Sequence, residues 1–381
     1  MKNYLYQTQG IYFAQCADDI KDVARQELIS LGAKDTRITY RGIHFRGDKA
    51  ALYRINYHGR FITRVLAPLV TFDCPTERHL YKQAFQITWD DFLTTAGTFA
   101  VYAALVRSQL NHSQFAALRL KDAIADSFRT RQGSRPSVDA RNPDVWFNLY
   151  IEDNKATISV DTSGGTLHRR GYRPESVSAP MMETLAAAII QYSAWNGETP
   201  LYDPFCGSGT ILCEAYIHAS RMPAGMLRRG FGLEKLPDFD FSLWKEIVRE
   251  GKKGMVPVRP GMITGSDISA EAVEMARRNA RILDPGHRIR IEQRDIFQVD
   301  SLSGKTIICN PPYGIRMGNE AEMDAFYQNL GDFFKKRCTN STAYVYFGER
   351  AYIKKIGLKT AWKKVISNGG LDGRLVRYDL Y

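Results

Sequence analysis

The strongest chemical signal is the run Leu201-Tyr-Asp-Pro-Phe-Cys-Gly-Ser-Gly-Thr-Ile-Leu, in which Asp203 ends a strand-like segment and Gly207 and Gly209 open a helical one. Glycines at such a turn let a ligand approach the backbone, and the start of a helix offers N–H groups without partners. The run is not the dinucleotide fingerprint, because the third glycine of GxGxxG falls on Leu212, and no Gly-Lys-Ser/Thr closes it as in a P-loop. A pyrophosphate needs only the anion cradle; the carboxylate of Asp203 beside it suits a zwitterionic amino acid. The second signal is Gly265-Ser-Asp-Ile. An acid such as Asp267, at the end of the second strand of a doubly wound sheet, holds ribose hydroxyls, or else caps the next helix. Its distance from Gly209 exceeds the usual spacing of about 20 residues, and an insert over 221–260 accounts for the excess. The third is Arg294-Asp295-Ile-Phe, where Asp295 either accepts a hydrogen bond from an adenine amino group or serves a turn. The fourth is Thr306-Ile-Ile-Cys-Asn-Pro-Pro-Tyr-Gly. Here a strand delivers Asn310 to its end, Pro311 and Pro312 fix an extended turn without N–H donors, and Tyr313 offers a flat face. The Asn310 Oδ1 and the Pro311 carbonyl are two acceptors, matching the two N–H donors of a planar exocyclic amine.

Strands and helices that alternate along the chain must position these groups, which predicts an α/β fold. From Pro180, suited to the first position of a helix, the pattern is doubly wound. It predicts helix 180–194, strand 199–203, helix 210–220, strand 262–267, helix 270–283, strands 289–293 and 305–309, helix 322–336 and strand 343–348. Met323, Phe326, Tyr327, Leu330, Phe333 and Phe334 give helix 322–336 a wide apolar stripe. A short helix is expected near 241–249 within the insert. Upstream, the pattern predicts strand 10–17, helix 18–31 capped by Asp18 or Asp19, strands 36–40 and 43–46, and helix 49–57. Ala117, Leu120, Ile124 and Phe128 share one face of a helix over 114–129, and 145–151 with 156–160 form a hairpin. Between them, Arg129, Arg131, Arg135 and Arg141 make either a solvated loop or a phosphate-binding rim. The flexible break 161–166 and His168-Arg-Arg-Gly-Tyr-Arg-Pro mark a domain junction, whose arginines equally suit a basic linker.

The 381 residues are enough for two or three domains, and 44% apolar content excludes a mainly disordered chain. No apolar run reaches the roughly 18 residues of a membrane span, and MKNYLYQTQG lacks the features of a secretory signal. With 52 basic and 41 acidic residues, the net charge of +11 favours a polyanionic partner. The six cysteines form no CxxC pair, so a metal site is not expected and they read as reduced thiols of a cytoplasmic protein. Cys206, Cys213 and Cys309 read as small packing residues.

Asp203-Pro-Phe-Cys-Gly-Ser-Gly-Thr followed by Asn310-Pro-Pro-Tyr resembles the class I S-adenosylmethionine-dependent methyltransferases that act on exocyclic amino nitrogens. More narrowly, the chain resembles the THUMP-containing guanine-N2 methyltransferases of large-subunit ribosomal RNA, some of which are labelled N6-adenine-specific DNA methylases. Arg135-Pro-Ser-Val-Asp, Asn142-Pro-Asp, His168-Arg-Arg-Gly-Tyr-Arg and Ala179-Pro-Met-Met-Glu-Thr-Leu extend the likeness over nearly the whole chain. The resemblance implies a ferredoxin-like domain over 1–60, a THUMP RNA-binding domain over 61–163 and a Rossmann-like methyltransferase domain over 164–381 with a C-terminal antiparallel strand. It implies S-adenosylmethionine as cofactor, held by Asp203, Gly207, Gly209, Asp267 and Asp295, and a catalytic segment Asn310, Pro311, Pro312 and Tyr313, without metal. Ribosomal RNA is the implied partner; no oligomeric state is implied. The fused bacterial members carry a second methyltransferase domain, and a chain ending at Tyr381 implies a single activity. Two alternatives stay open: the same chemistry on adenine N6 in DNA, and a non-catalytic RNA-binding assembly factor.

Overall fold

A computed structural model of the chain describes residues 4–173, 181–284, 288–313, 320–367 and 372–381. Its contacts divide it into two compact units, Met1–Leu167 with Arg228–Arg249, and His168–Leu227 with Glu250–Tyr381.

The first unit is built on eight strands: β1 (Ile11–Gln15), β2 (Lys34–Thr39), β3 (Gly42–Arg46), β4 (Arg64–Asp73), β5 (Thr98–Val106), β6 (Ser137–Val138), β7 (Val145–Glu152) and β8 (Lys155–Asp161). They form one sheet in the order β2-β3-β1-β4-β8-β7-β5-β6. Period-two alternation puts Ala14, Ile43, Phe45, Val65, Phe147 and Ile158 on the buried side. Helices Glu77–Phe85 and Ser113–Gln132 pack on each other and bury Leu80, Leu120, Ile124 and Phe128. The hairpin β7–β8 turns on Asp153 and Asn154, both at positive φ, the backbone that a two-residue turn between right-twisted strands requires. The expected cap at Asp18 or Asp19 is not formed. Asp18–Ile20 make a separate 3₁₀ turn, helix Lys21–Ser30 starts after Ile20 with no side-chain cap, and Asp18 pairs instead with Lys21. Part of the insert belongs to this unit. Trp244 packs edge-on against Tyr53, Tyr57 and Phe231, Tyr6 donates to Asp238 at 2.7 Å, and Leu233 N–H donates to the Thr162 carbonyl at 2.7 Å. Gly232 is forced there by close approach: a Cβ would stand 2.0 Å from the Asp161 carbonyl oxygen.

The second unit carries β9 (Leu201–Asp203), β10 (Ile263–Asp267), β11 (Ile289–Gln293), β12 (Thr306–Cys309), β13 (Ser341–Phe347), β14 (Trp362–Val365) and β15 (Arg374–Leu380). Their order is β11-β10-β9-β12-β13-β15-β14. The first five are parallel, and β15 runs antiparallel to both β13 and β14. The stripe on helix Glu320–Arg337 is the core contact foreseen: Met323, Tyr327, Leu330, Phe333 and Phe334 pack with Ile307, Cys309, Val345 and Tyr378. Helix Glu183–Ser193 is shorter than the predicted 180–194, and Pro180 lies outside the described residues. The strand order reverses between β9 and β12, so the crevice at the carboxyl ends of β9, β10 and β12 is where such a sheet takes its ligand.

Candidate active site

All four sequence signals end on that edge. Asp203 closes β9, which is flanked by β10 and β12, and is 1% exposed. Its Oδ1 accepts the Phe205 N–H at 3.1 Å; its Oδ2 is buried with no hydrogen-bond partner. Burial, reinforced by the charge of Asp267 and opposed by the Phe205 N–H, drives its pKa well above the usual carboxylate range. A buried acceptor without a donor is costly, by about 1–3 kcal/mol, and so is an opening for a cationic or donor group.

The two glycines of the turn serve different ends. Gly207, at φ +51°, has open space where a Cβ would stand, so none of the described residues fills the place above the turn. Gly209, at φ +80°, starts helix Thr210–Ser220, and a Cβ there would lie 3.1 Å from that of Ala276. Asp267 ties the second strand to the turn, its Oδ2 accepting the Gly207 N–H at 2.9 Å and its Oδ1 the Ser269 N–H at 3.0 Å. It does not cap the next helix; Ser269 does, accepting the Ala272 N–H at 3.3 Å. Asp295 is half-buried and starts the 3₁₀ turn Ile296–Gln298, with Oδ1 accepting the Phe297 N–H at 3.0 Å.

On the other side of β9, β12 leads to a half-buried Asn310 whose Oδ1 is buried without a partner. The turn after it is pinned. The Pro312 carbonyl accepts the Tyr327 hydroxyl at 3.0 Å, and Tyr327 is stacked on Tyr352 with ring centres 4.6 Å apart. The Tyr313 ring lies against Gly348, where a Cβ would come within 2.5 Å of it. Two unmatched buried oxygens, one of a carboxyl and one of a carboxamide, thus stand at the ends of adjacent strands.

The residues 170–377 match the family described as the RMKL-like methyltransferase domain. The chain belongs to that family. Within the RMKL-like methyltransferase chain, residues 74–161 match the THUMP domain and 12–66 the RlmL ferredoxin-like domain. A Synechocystis protein named provisionally as an RNA methyltransferase (slr0064) is 39% identical over 97% of both chains. The ribosomal RNA large subunit methyltransferase K/L of Syntrophotalea carbinolica is 35% identical; the match covers 97% of this chain and 53% of that longer protein. Among solved structures, SMU.472, provisionally a methyltransferase and crystallised with SAH, superposes with TM-score 0.83 at 25% identity over 97% of this chain and 98% of that one. A Listeria monocytogenes protein provisionally described as an N6-adenine-specific DNA methylase gives 0.84 at 26% over 97% and 96%.

Several neighbours of this RMKL-like site lie in or near the motif runs but carry no role in the sequence reading. Arg173 pairs with Glu183 at 2.5 Å and donates to the Thr210 hydroxyl at 3.2 Å, and Glu183 Oε2 is buried without a partner beside the glycine turn's helix. Arg170 and Glu214, 1% and 0% exposed, form a second pair at 3.3 Å, joined by the Tyr172 hydroxyl. The reading of Arg170 and Arg173 as a basic linker therefore falls: both guanidinium groups are inside the unit. Phe205, Phe297 and Phe326 form an aromatic cluster with ring centres 5.7 and 5.9 Å apart, and Phe297, next to Asp295, is 39% exposed. The sequence signals for them are membership of the motif runs and, for Phe326, of the apolar stripe; Glu214 carries none. All six cysteines are free and buried, and burial raises the thiol pKa of Cys206, Cys213 and Cys309, which fits packing roles. Among the described residues no group of His, Cys, Asp and Glu could hold a metal ion, and no helix is long and apolar enough to cross a membrane.

Proposed function

We propose that the protein transfers a methyl group from S-adenosylmethionine to the exocyclic N2 amine of a guanosine in 23S ribosomal RNA. The observation that carries this reading is the unpartnered Asn310 Oδ1 at the sheet edge next to the unpartnered Asp203 Oδ2. When bound, the cofactor supplies an electrophilic methyl on a positively charged sulfur. The orphaned Asp203 Oδ2 would take its ammonium group and the open space at Gly207 its chain along the backbone; Asp267 would hold the ribose hydroxyls and Asp295 the adenine amine. The solved relative holding SAH and the relatives named as RNA methyltransferases support the same assignment.

On the substrate side, Asn310 Oδ1 and the Pro311 carbonyl accept the two N–H bonds of the target amine. Its lone pair is delocalised into the base, and acceptors on both protons favour pyramidal nitrogen and raise its electron density. These bonds strengthen as positive charge develops on nitrogen, so they act in the transition state. No strong base is needed before attack, since methylation itself acidifies the N–H. Tyr313 stacks on a base that is unpaired or flipped out. Tyr327 acts through the Pro312 carbonyl and is a positioning residue.

Nucleoside mass spectrometry after incubating the protein with S-adenosylmethionine and 23S ribosomal RNA tests this reading. N2-methylguanosine is the expected product; methyl only on adenine N6 of added DNA, or none anywhere, would refute it.

A further inference from the structure

The eight-stranded sheet of the first unit has a second face. Along one rung, Arg37 of β2 lies opposite His44 of β3, His44 opposite Phe13 of β1, and Phe13 opposite Leu66 of β4. A second rung places Pro68 opposite Ser159 and Ser159 opposite Asn148; a third places Thr157 opposite Tyr150 and Tyr150 opposite Ala104. These side chains line a cavity of about 360 Å³, a size typical of small-ligand sites.

The cavity has three parts. Leu66, Pro68 and Ala104, all buried, give a floor of small apolar surface. Phe13 and Tyr150, both half-buried, give aromatic walls, with the His44 ring centre 4.7 Å from that of Phe13. Polar groups are set into the floor. Asn148 and Ser159 are 2% and 3% exposed; among the described residues the Asn148 side chain makes one long contact, to the Tyr102 carbonyl at 3.5 Å, and the Ser159 hydroxyl makes none. At the rim, Arg37 and Arg41 are exposed and neither has an ion pair among the described residues. The acid that also lines the cavity, Glu152, is answered by Arg107 at 2.8 Å and by the Tyr150 hydroxyl at 3.2 Å.

We propose that this cavity holds one unpaired nucleotide of the substrate RNA, at a place other than the methylated base. The base stacks between Phe13 and Tyr150 and meets Asn148 and Ser159 with its polar edge, and Arg37 and Arg41 take the flanking phosphates. Unpaired RNA is recognised in this manner, by aromatic stacking and by hydrogen bonds to base edges, whereas a duplex hides both. Two free guanidinium groups beside apolar walls and buried polar atoms complement a phosphate and a heteroaromatic ring together. The inference rests on the RNA reading above and adds to it a specific anchor.

The test uses the full chain and two probes, a fluorescein-labelled single-stranded octamer of adenosine and a blunt eight-base-pair RNA duplex. The octamer is expected to bind more tightly than the duplex. Tyr150→Leu should weaken octamer binding roughly 5- to 100-fold, the range for loss of one stacking partner, and Tyr150→Phe should restore it. Arg37→Ala with Arg41→Ala, exposed and safe for folding, should weaken it and flatten its salt dependence. An octamer carrying one 4-thiouridine should cross-link to the strand that bears Tyr150. Equal affinity of wild type and Tyr150→Leu, or cross-linking confined to residues outside the cavity, overturns the anchor. If those results accompany normal methylation of ribosomal RNA, the anchor alone fails; if wild type neither binds nor methylates any RNA, the functional reading fails with it.

Discussion

Replacing Asp203 by asparagine should move two quantities in opposite directions. In the protein without cofactor, the carboxyl is 1% exposed, keeps one hydrogen bond, from Phe205 N–H, and leaves Oδ2 unmatched. Its proton is held far more tightly in the folded chain than the ordinary value of about 3.9 in the unfolded one. Such a group stabilises the fold fully only below that unfolded value, and the contribution is lost as the pH rises through the folded value. An asparagine of the same shape keeps the Phe205 bond and does not ionise. Asp203→Asn should therefore raise the stability of the cofactor-free protein above about pH 5 by roughly 1–2 kcal/mol, or about 2–8 °C in Tm, with little change near pH 4. Cofactor binding should suffer, because an NH₂ or neutral carbonyl replaces the charge that takes the ammonium group. Loss of one charge-assisted bond of about 1.5–3 kcal/mol corresponds to a Kd for S-adenosylhomocysteine raised some 10- to 150-fold. Calorimetry gives the affinity, and thermal unfolding with and without ligand gives both effects in one series. A variant less stable than wild type at pH 8, or one that binds the ligand as tightly, would refute the role given to Oδ2.

The wild-type carboxyl must lose its proton to meet the ammonium, so ligand binding should release a proton, detectable as a dependence of binding heat on the buffer's ionisation enthalpy, and affinity should fall as the pH falls. Gly207→Ala should lower ligand affinity with a stability loss of about 1 kcal/mol from its positive φ, since a Cβ there enters open space; Gly209→Ala, facing Ala276 at 3.1 Å, should chiefly lower Tm. Tyr327→Phe should reduce kcat by roughly fivefold through loss of one hydrogen bond of about 1 kcal/mol, leaving the Kd for S-adenosylhomocysteine unchanged and the fold intact by circular dichroism.

Much of the candidate site was legible because its residues interrupt local periodicity. Asp203 and Asp267 end strands and Asn310 follows one, and the glycines after Asp203 and the prolines after Asn310 mark turns at which a parallel sheet exposes its strand ends. What stayed hidden depends on distant pairing. Nothing local to 12–66 or 74–161 reveals that β1 and β4 join both stretches in one sheet, or that Gly232 and Trp244 in the insert return to pack on Asp161 and Tyr53. Arg170 and Glu214 look like surface charges when read singly, and only the fold brings them together at 3.3 Å. The cap expected at Asp18 or Asp19 failed for a related reason: an acid at a helix start, here Asp18, can pair with a lysine three residues on as well as with backbone N–H groups. Tyr327 was read as core, correctly, but its hydroxyl also reaches the Pro312 carbonyl, a contact that periodicity does not report.

The most direct measurement is single-turnover methyl transfer to 23S ribosomal RNA by Asn310→Ala against wild type, with both enzymes saturated in S-adenosylmethionine. A rate about 10²–10³ lower, the size expected for one oriented hydrogen-bonding group, with unaltered affinity for the cofactor is the predicted result. An undiminished rate would show that the free amide oxygen at the end of β12 takes no part in methyl transfer.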